Sequence, residues 1–212
     1  MKSTRKYLAR YAEPETALAQ ALLPTTAKPS NWQYCLVIPV YKESPAFYQR
    51  LATTLLKQHA VLLILVVNQP DCLSSVDASN RYLWQNLIDD THGGQAHHNL
   101  QLRAIPASCS ALLLVDRFSP GQQIPEKQGV GLARKIGADI ALTLIDSKHI
   151  ACPWIYTSDA DAHLPDNYFS ALDSDTCYKR GQSAAAIYPF KHLCDDSPVG
   201  QATRLYEQRM QQ

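Results

Sequence analysis

The sequence lacks the features that mark several classes of protein. Its 20 basic and 19 acidic residues leave a net charge of +1, which gives no reason to expect nucleic acid or an anionic membrane as a partner. The longest apolar run, residues 60–67, is far shorter than the roughly 20 residues of a transmembrane helix. Basic residues near the N-terminus are not followed by an apolar core, so no secretory signal is predicted.

The cysteines also lack a recognisable pattern. Six are scattered along the chain without any Cys-x-x-Cys spacing, which disfavours a zinc site and a disulfide framework. At least two lie in predicted strands or at their edges, as buried free thiols do. These features indicate a cytoplasmic protein. The cysteines are Cys35, Cys72, Cys109, Cys152, Cys177 and Cys194.

Apolar runs alternate with helical periodicity along most of the chain. A length of 212 residues with 46% hydrophobic content predicts one domain, or a domain with an appendage. Residues 1–30 predict a lead-in helix and linker, and residues 31–212 predict an α/β domain with a mostly parallel, Rossmann-like sheet flanked by helices. Strands are predicted at 34–38, 61–67, 100–105, 111–115, 154–158 and 184–188. Helices are predicted from Pro45, around 84–88, at 132–144, from Pro165 and at 201–211, and residues 89–99 are predicted to be a polar loop.

Polar residues follow three of the predicted strands. Residues 39–43 follow the first strand, Asn68 and Gln69 follow the second, and Asp159-Ala160-Asp161 follows the apolar run 153–158. Right-handed crossovers bring the carboxyl ends of parallel strands to one edge, where ligands bind in open α/β sheets. Mg²⁺ and Mn²⁺ prefer oxygen ligands, so Asp159 and Asp161 predict a metal site. A solvated strand-to-helix turn is the alternative interpretation of this pair.

A helix start with glycines and cations precedes the two aspartates. Gly129 and Gly131 open the helix, and free backbone N–H groups, the helix dipole and the cations of residues 127–135 form a plausible anion site for a diphosphate. The alternative is that the glycines serve only the geometry of the helix start and that Arg134 pairs with an acid on a neighbouring loop. Glu43 is either a ligand contact or a cap for the helix after Pro45.

Four segments, taken in order, resemble the glycosyltransferase family 2 pattern on a GT-A fold. They are residues 37–43, 65–68, 131–138 and 158–166, and the resemblance runs from about Tyr34 to about Leu172. It implies a metal-dependent enzyme that transfers a sugar from a nucleotide-sugar donor to an unknown acceptor, with Mn²⁺ or Mg²⁺ as cofactor. The implied donor nucleotide-binding residues are Pro39, Tyr41, Glu43, Asn68, Arg134 and Asp159, and the implied metal ligands are Asp159 and Asp161.

The chain departs from the family pattern at two places. Asn68-Gln69 stands where many members have Asp-Asp or Asp-Asn, and an amide cannot strengthen a bond to the base with charge. The donor nucleotide therefore stays open. The family's general base is an acid well beyond the metal motif, and Asp195-Asp196 comes too early to supply it. We therefore expect the catalytic base beyond Gln212, in a longer enzyme of which this chain is the N-terminal portion.

Two other functions remain open at this point. A nucleotidyltransferase uses a related sheet and similar metal-carboxylate chemistry, but it normally has a glycine-rich loop after its first strand. Residues 41–45 contain no glycine. A catalytically silent nucleotide-binding or interaction domain is the second alternative, which the missing downstream acid favours.

Overall fold

The computed structural model describes residues 2–23, 32–171 and 184–210. The chain divides into two compact units, Met1–Asp166 and Asn167–Gln212. The helices of the first unit are α1 (Lys2–Tyr11), α2 (Glu15–Leu22), α3 (Ala46–Thr53), α4 (Leu55–Gln58), α5 (Ala78–Asp89) and α6 (Gly129–Asp146), and α7 (Pro198–Met210) lies in the second unit. The strands are β1 (Tyr34–Val40), β2 (Val61–Asn68), β3 (His92–His97), β4 (Leu100–Ala104), β5 (Ala111–Arg117) and β6 (Tyr156–Thr157). None of the described helices has the length and apolar character needed to cross a membrane.

The first unit is built on a mixed, mostly parallel sheet. Its described strands follow the order β3-β4-β5-β2-β1-β6, in which β5, β2, β1 and β6 are parallel and β4 runs antiparallel to both of its neighbours, β5 and β3. From β1 the chain passes to β2, then to the edge strand β3 and back through β4 to β5, and it finally places β6 on the other side of β1. This reversal between β1 and β6 is a topological switch point. The prediction of an α/β, Rossmann-like fold is confirmed.

The two central strands are apolar except for Asn68 at the end of β2, because helices cover both faces of the sheet. Every residue of β1 and β2 is buried. Side chains alternate between the faces, and Val37, Ile64 and Val66 belong to the same core cluster as Ile136 and Ile140 of α6. Helix α6 covers one face of the sheet. Helices α3 and α5 cover the opposite face, because right-handed crossovers that run in opposite directions across a sheet place their helices on opposite faces.

The N-terminal segment is part of the first unit. Where the sequence predicts a single lead-in helix, the structure has α1 and α2, separated around Pro14. Ala19 of α2 is fully buried in the core. The Lys135 ammonium of α6 donates to the main-chain oxygen of Tyr11 at 2.6 Å and to the Asp139 carboxylate at 2.7 Å. Residues 24–31, most of the predicted linker, lie outside the described residues.

The predicted polar loop at residues 89–99 is wrong, because this segment contains β3. Strand β3 lies at the edge of the sheet and pairs antiparallel with β4, with an irregularity between His92 and Gln95. Five of its six residues are exposed. An edge strand with no buried face does not need apolar residues at alternate positions, so the sequence of β3 does not predict a strand.

Other predicted boundaries also differ from the structure. The strand predicted at 154–158 is only Tyr156–Thr157, since β6 pairs with β1 over two residues. The helix expected from Pro165 is a series of turns over residues 166–171, and residues 172–183 lie outside the described part. Among residues 184–188 there is no strand, and four of these five residues are exposed. The last predicted helix is confirmed as α7, although Gln211 falls outside the description.

Candidate functional site

The carboxyl ends of β1, β2 and β6 lie on one edge of the sheet. The reversal of strand order between β1 and β6 is where open α/β sheets form a crevice, and we use that word for the space between these two strand ends. The Ser158 N–H donates to the Val37 carbonyl at 3.1 Å, in line with the last paired residues of β6. Every second residue of a strand directs its main-chain N–H and C=O groups toward the same neighbouring strand. After Val37, the next residue of β1 whose main chain faces β6 is therefore Pro39. Proline has no N–H to continue the ladder. Pro39 therefore marks the point at which the two strands part.

A tight turn follows β6 on the far side of this crevice. The Ala162 N–H donates to the Asp159 carbonyl at 3.3 Å, which defines a β-turn over residues 159–162 that we call the acidic turn. Asp161 is one of its two central residues and is exposed, whereas the other, Ala160, is 95% buried. The geometry anchors the turn through Ala160 and presents the Asp161 carboxylate to solvent.

The acidic turn is also bound by arginines from two helices. Arg134 Nη2 of α6 lies 2.5 Å from Asp159 Oδ1, and the two side chains form an ion pair. Arg50 Nη2 of α3 donates to the Ala162 carbonyl at 3.3 Å. Sequence reasoning had left Arg134 open between a diphosphate and an acid on a neighbouring loop, and in the structure it contacts the acid.

Glu43 brings a third carboxylate to the crevice. It is half-buried in the connection between β1 and α3. Burial raises the pKa of Glu43 above its ordinary value, and the negative charges of Asp161 and Asp159 raise it further. The three carboxylates thus share one region of negative potential, which a cation would relieve.

The donor set is suited to a divalent cation that is shared with a substrate. Among the residues that the structure describes, no three His, Cys, Asp or Glu side chains are grouped closely enough to hold a metal ion on their own. Mg²⁺ typically takes only one or two protein carboxylates and completes its shell with water and substrate phosphates. Asp161 and the second oxygen of Asp159 fit that pattern, because Arg134 occupies only Oδ1.

Asn68 ties strand ends together. Its side chain is nearly fully buried, and Nδ2 donates to the carbonyls of Val40 at 2.9 Å and Val66 at 3.3 Å. The main-chain oxygen of Asn68 accepts a hydrogen bond of 2.9 Å from Asn80 Nδ2, and Asn80 Oδ1 accepts one of 2.9 Å from the Lys42 N–H. The structure therefore gives Asn68 a role in joining β1, β2 and α5.

The loop after β1 has a defined conformation. Lys42 has a φ of +60° and its N–H is held by Asn80. The Lys42 ammonium lies 5.1 Å from the centroid of the Tyr41 ring and 3.4 Å from Asp77 Oδ2. Asp77 in turn caps α5 by accepting from the Ser79 N–H at 2.8 Å. These contacts hold the half-buried Tyr41 at the same edge as Glu43.

The start of α6 is less cationic than the sequence suggests. Gly129 has a φ of +43°, a conformation that glycine adopts at no steric cost. Lys127 is exposed, but Lys135 points toward the N-terminal segment and binds Glu13 and Asp139. The expected grouping of three cations is wrong, because successive residues of an α-helix point in directions about 100° apart.

Sequence reasoning missed two residues that shape this edge, Arg50 and Asn80. Arg50 lies on the helix predicted from Pro45, whereas Asn80 lies in α5 ahead of the residues that predicted it. Asn80 is fully buried, and Arg50 reaches across the crevice to the acidic turn. No local pattern identifies them, because their partners come from distant strands and loops.

Comparison with protein-family models, with curated proteins and with solved structures gave no match for this chain. The fold and the geometry of the crevice are therefore the basis for any functional assignment.

Proposed function

We propose that this chain binds the donor of a metal-dependent glycosyltransferase with a GT-A fold and takes a nucleotide-sugar as substrate. The observation that carries the proposal is the exposed Asp161 at the switch-point crevice, beside Asp159 and Arg134. Ligands of open α/β sheets bind at this position. A cytoplasmic location and the absence of nucleic acid among the partners remain part of the proposal.

Each group at the crevice has a role in binding the donor. Asp161 and Asp159 would hold Mn²⁺ or Mg²⁺, which when bound neutralises charge that develops on the departing diphosphate. The open N-terminal turn of α6 and Arg134 would bind phosphate oxygens. Tyr41 and Glu43 would contact the base and the ribose. We assign no general base among the described residues.

A second candidate function is a catalytically silent nucleotide-binding domain. The observation in its favour is that Asp159 already has a cationic partner in Arg134, at 2.5 Å. An internal cation of this kind neutralises one of the two aspartates without a metal. Such a domain would still bind a nucleoside diphosphate through the edge of the sheet.

Thermal unfolding with nucleoside diphosphates and nucleotide-sugars, each with and without Mn²⁺, tests the proposal. We expect stabilisation that needs both nucleotide and Mn²⁺, amounting to about 2.7 kcal/mol at a ligand concentration of about 100 times its dissociation constant. Asp161→Asn should abolish the Mn²⁺-dependent part. The matched control is Asp90→Asn, an exposed aspartate just beyond the C-terminal end of α5.

The outcomes separate the two candidates. Equal Mn²⁺-dependent stabilisation in the parent and in Asp161→Asn would contradict the metal site. Nucleotide binding that is insensitive to Mn²⁺ and to Asp161→Asn would favour the silent domain. Release of nucleoside diphosphate from a nucleotide-sugar, lost in Asp161→Asn but retained in Asp90→Asn, would support a transferase.

A further inference from the structure

The acidic turn is fixed at its two ends by guanidinium groups that approach from opposite faces of the sheet. Arg134 of α6 binds the carboxylate of Asp159, the first residue of the turn. Arg50 of α3 binds the carbonyl of Ala162, the last residue of the turn. Asp161 lies between these two attachment points and is exposed.

We propose that Arg50 is a positioning residue for Asp161, acting with Arg134 as a two-arginine clamp on the acidic turn. The part of this inference that concerns a cation rests on the proposed function. The clamp itself rests only on the observed contacts, so the two can be tested separately.

The turn needs such support because regular structure ends just before it. Strand β6 has two residues, and its ladder with β1 includes only Leu36 and Val37. Residues 162–165 have no regular secondary structure. A segment with few main-chain bonds samples many conformations, and a carboxylate on it spends little time in a productive position. Arg50 removes this freedom at the end of the turn farthest from β6.

The charge of Arg50 also suits this position. Three carboxylates lie at this edge, and the pKa of Glu43 is raised first by burial and then by the negative charges of Asp161 and Asp159. Arg134 neutralises one end of the turn, and Arg50 places a second positive charge beside the other end. A guanidinium keeps its charge at any accessible pH and has five N–H donors in a rigid plane, which lysine does not have.

The contribution of Arg50 can be separated from the packing of its helix. The buried residues of α3 are Phe47, Tyr48 and Leu51, whereas Arg50 is half-buried. Arg50→Met retains an unbranched apolar stem and removes the charged group. Arg50→Lys retains the charge and removes the planar set of donors. Arg81→Met is the matched control, since Arg81 is an exposed arginine of α5.

Two measurements on the full chain test the clamp. Amide hydrogen exchange of residues 158–165 without metal reports the order of the turn. Paramagnetic resonance titration with Mn²⁺, first alone and then with a nucleoside diphosphate present, reports the affinity of the chain for Mn²⁺. In Arg50→Met we expect faster exchange in this segment only, an unchanged melting temperature, and a weakening of Mn²⁺ binding by about tenfold or more. Arg50→Lys should recover part of both effects, and Arg81→Met should match the parent.

Each remaining outcome has a definite meaning. Unchanged exchange in Arg50→Met overturns the clamp, whether or not the chain binds Mn²⁺. Faster exchange with unchanged Mn²⁺ affinity overturns the positioning role. A parent chain that binds no Mn²⁺ either alone or with a nucleoside diphosphate present overturns the proposed function, and the clamp is then decided by exchange alone. If Arg50→Met does not fold, the comparison of Arg50→Lys with the parent decides the same question.

Discussion

Gly137 of α6 lies directly against Val37 of β1, and a Cβ atom added at position 137 would be 2.3 Å from Val37 Cγ1. Real Cβ atoms do not approach a neighbour so closely, and Val37 lies in the tightly packed centre of the sheet. The absence of a side chain at this position lets α6 pack closely on β1. Arg134 lies three residues earlier on the same helix, and the close packing of α6 on β1 brings its side chain within reach of Asp159.

We expect Gly137→Ala to lower the free energy of unfolding by about 1–3 kcal/mol, because overpacking forces the helix away from the sheet. Gly131→Ala in the same helix is the control, since nothing lies within 4 Å of the added methyl group. That change should be neutral or should stabilise by up to about 1 kcal/mol through helix propensity. Urea unfolding of both variants checks the pair. Equal effects would contradict the close packing at Gly137.

Asn68→Leu should destabilise the fold by about 1–3 kcal/mol, whatever its effect on nucleotide binding. The substitution removes the side-chain donor to the carbonyls of Val40 and Val66 at a buried position. Asn86→Leu is the control, because the Asn86 side chain bonds only to its own helix, at Tyr82, near the surface. Chemical denaturation of the two variants would show the difference, and an unchanged midpoint for Asn68→Leu would argue against the buried network.

Glu43 should make the folded chain less stable as the pH rises. Its pKa is raised in the folded state, mainly by burial and then by Asp161 and Asp159, so folding favours the protonated acid. The stabilisation is therefore fully present below the ordinary glutamate pKa and is lost as the pH rises through the raised value. As the pH rises above the ordinary glutamate pKa of about 4, the parent should lose stability relative to Glu43→Gln. Parallel pH profiles of the two proteins would contradict this.

Cysteine reactivity offers a test of the core that is independent of function. Cys35 is fully buried, and burial raises the pKa of its thiol to about 12. Cys72 and Cys109 are exposed. Iodoacetamide should therefore modify Cys109 in the native protein, while Cys35 reacts only after unfolding, because the thiolate is the reactive form. Mass spectrometry of peptides after brief labelling measures both sites. Native labelling of Cys35 as fast as that of Cys109 would refute its place in the core.

The parts of the fold that bury apolar surface were predictable from the sequence. The runs at 34–38 and 61–67 became β1 and β2, and the four-residue spacing from Leu132 to Leu144 became α6. Two of the segments that failed, residues 92–97 and 184–188, are mostly exposed. Strand β3 has an exposed polar sequence, and its pairing depends on the neighbouring strand β4. The sequence of β3 alone does not predict a strand, because the strand forms through its hydrogen bonds with β4.

The site was predictable in its location and less so in its contacts. Placing Asp159, Glu43 and Asn68 on one edge requires only strand direction and crossover handedness, which the alternation of elements supplies. The partner of each side chain depends on rotamers and helix rotation. Lys135 and Arg134 are adjacent in sequence, yet one binds the N-terminal segment and the other the acidic turn. Sequence spacing alone does not distinguish those two directions.

The pairing of β1 with β6 has a consequence for the order of folding. Leu36 pairs with Tyr156, so this contact closes a loop that contains most of the first unit, whereas β1 and β2 pair along their whole length over a much shorter connection. The entropic cost of closing a loop grows with its length, and the pairing of a two-residue strand offsets little of that cost. We therefore expect the contact between β1 and β6, and with it the position of the acidic turn, to form after β1, β2 and β5 have joined.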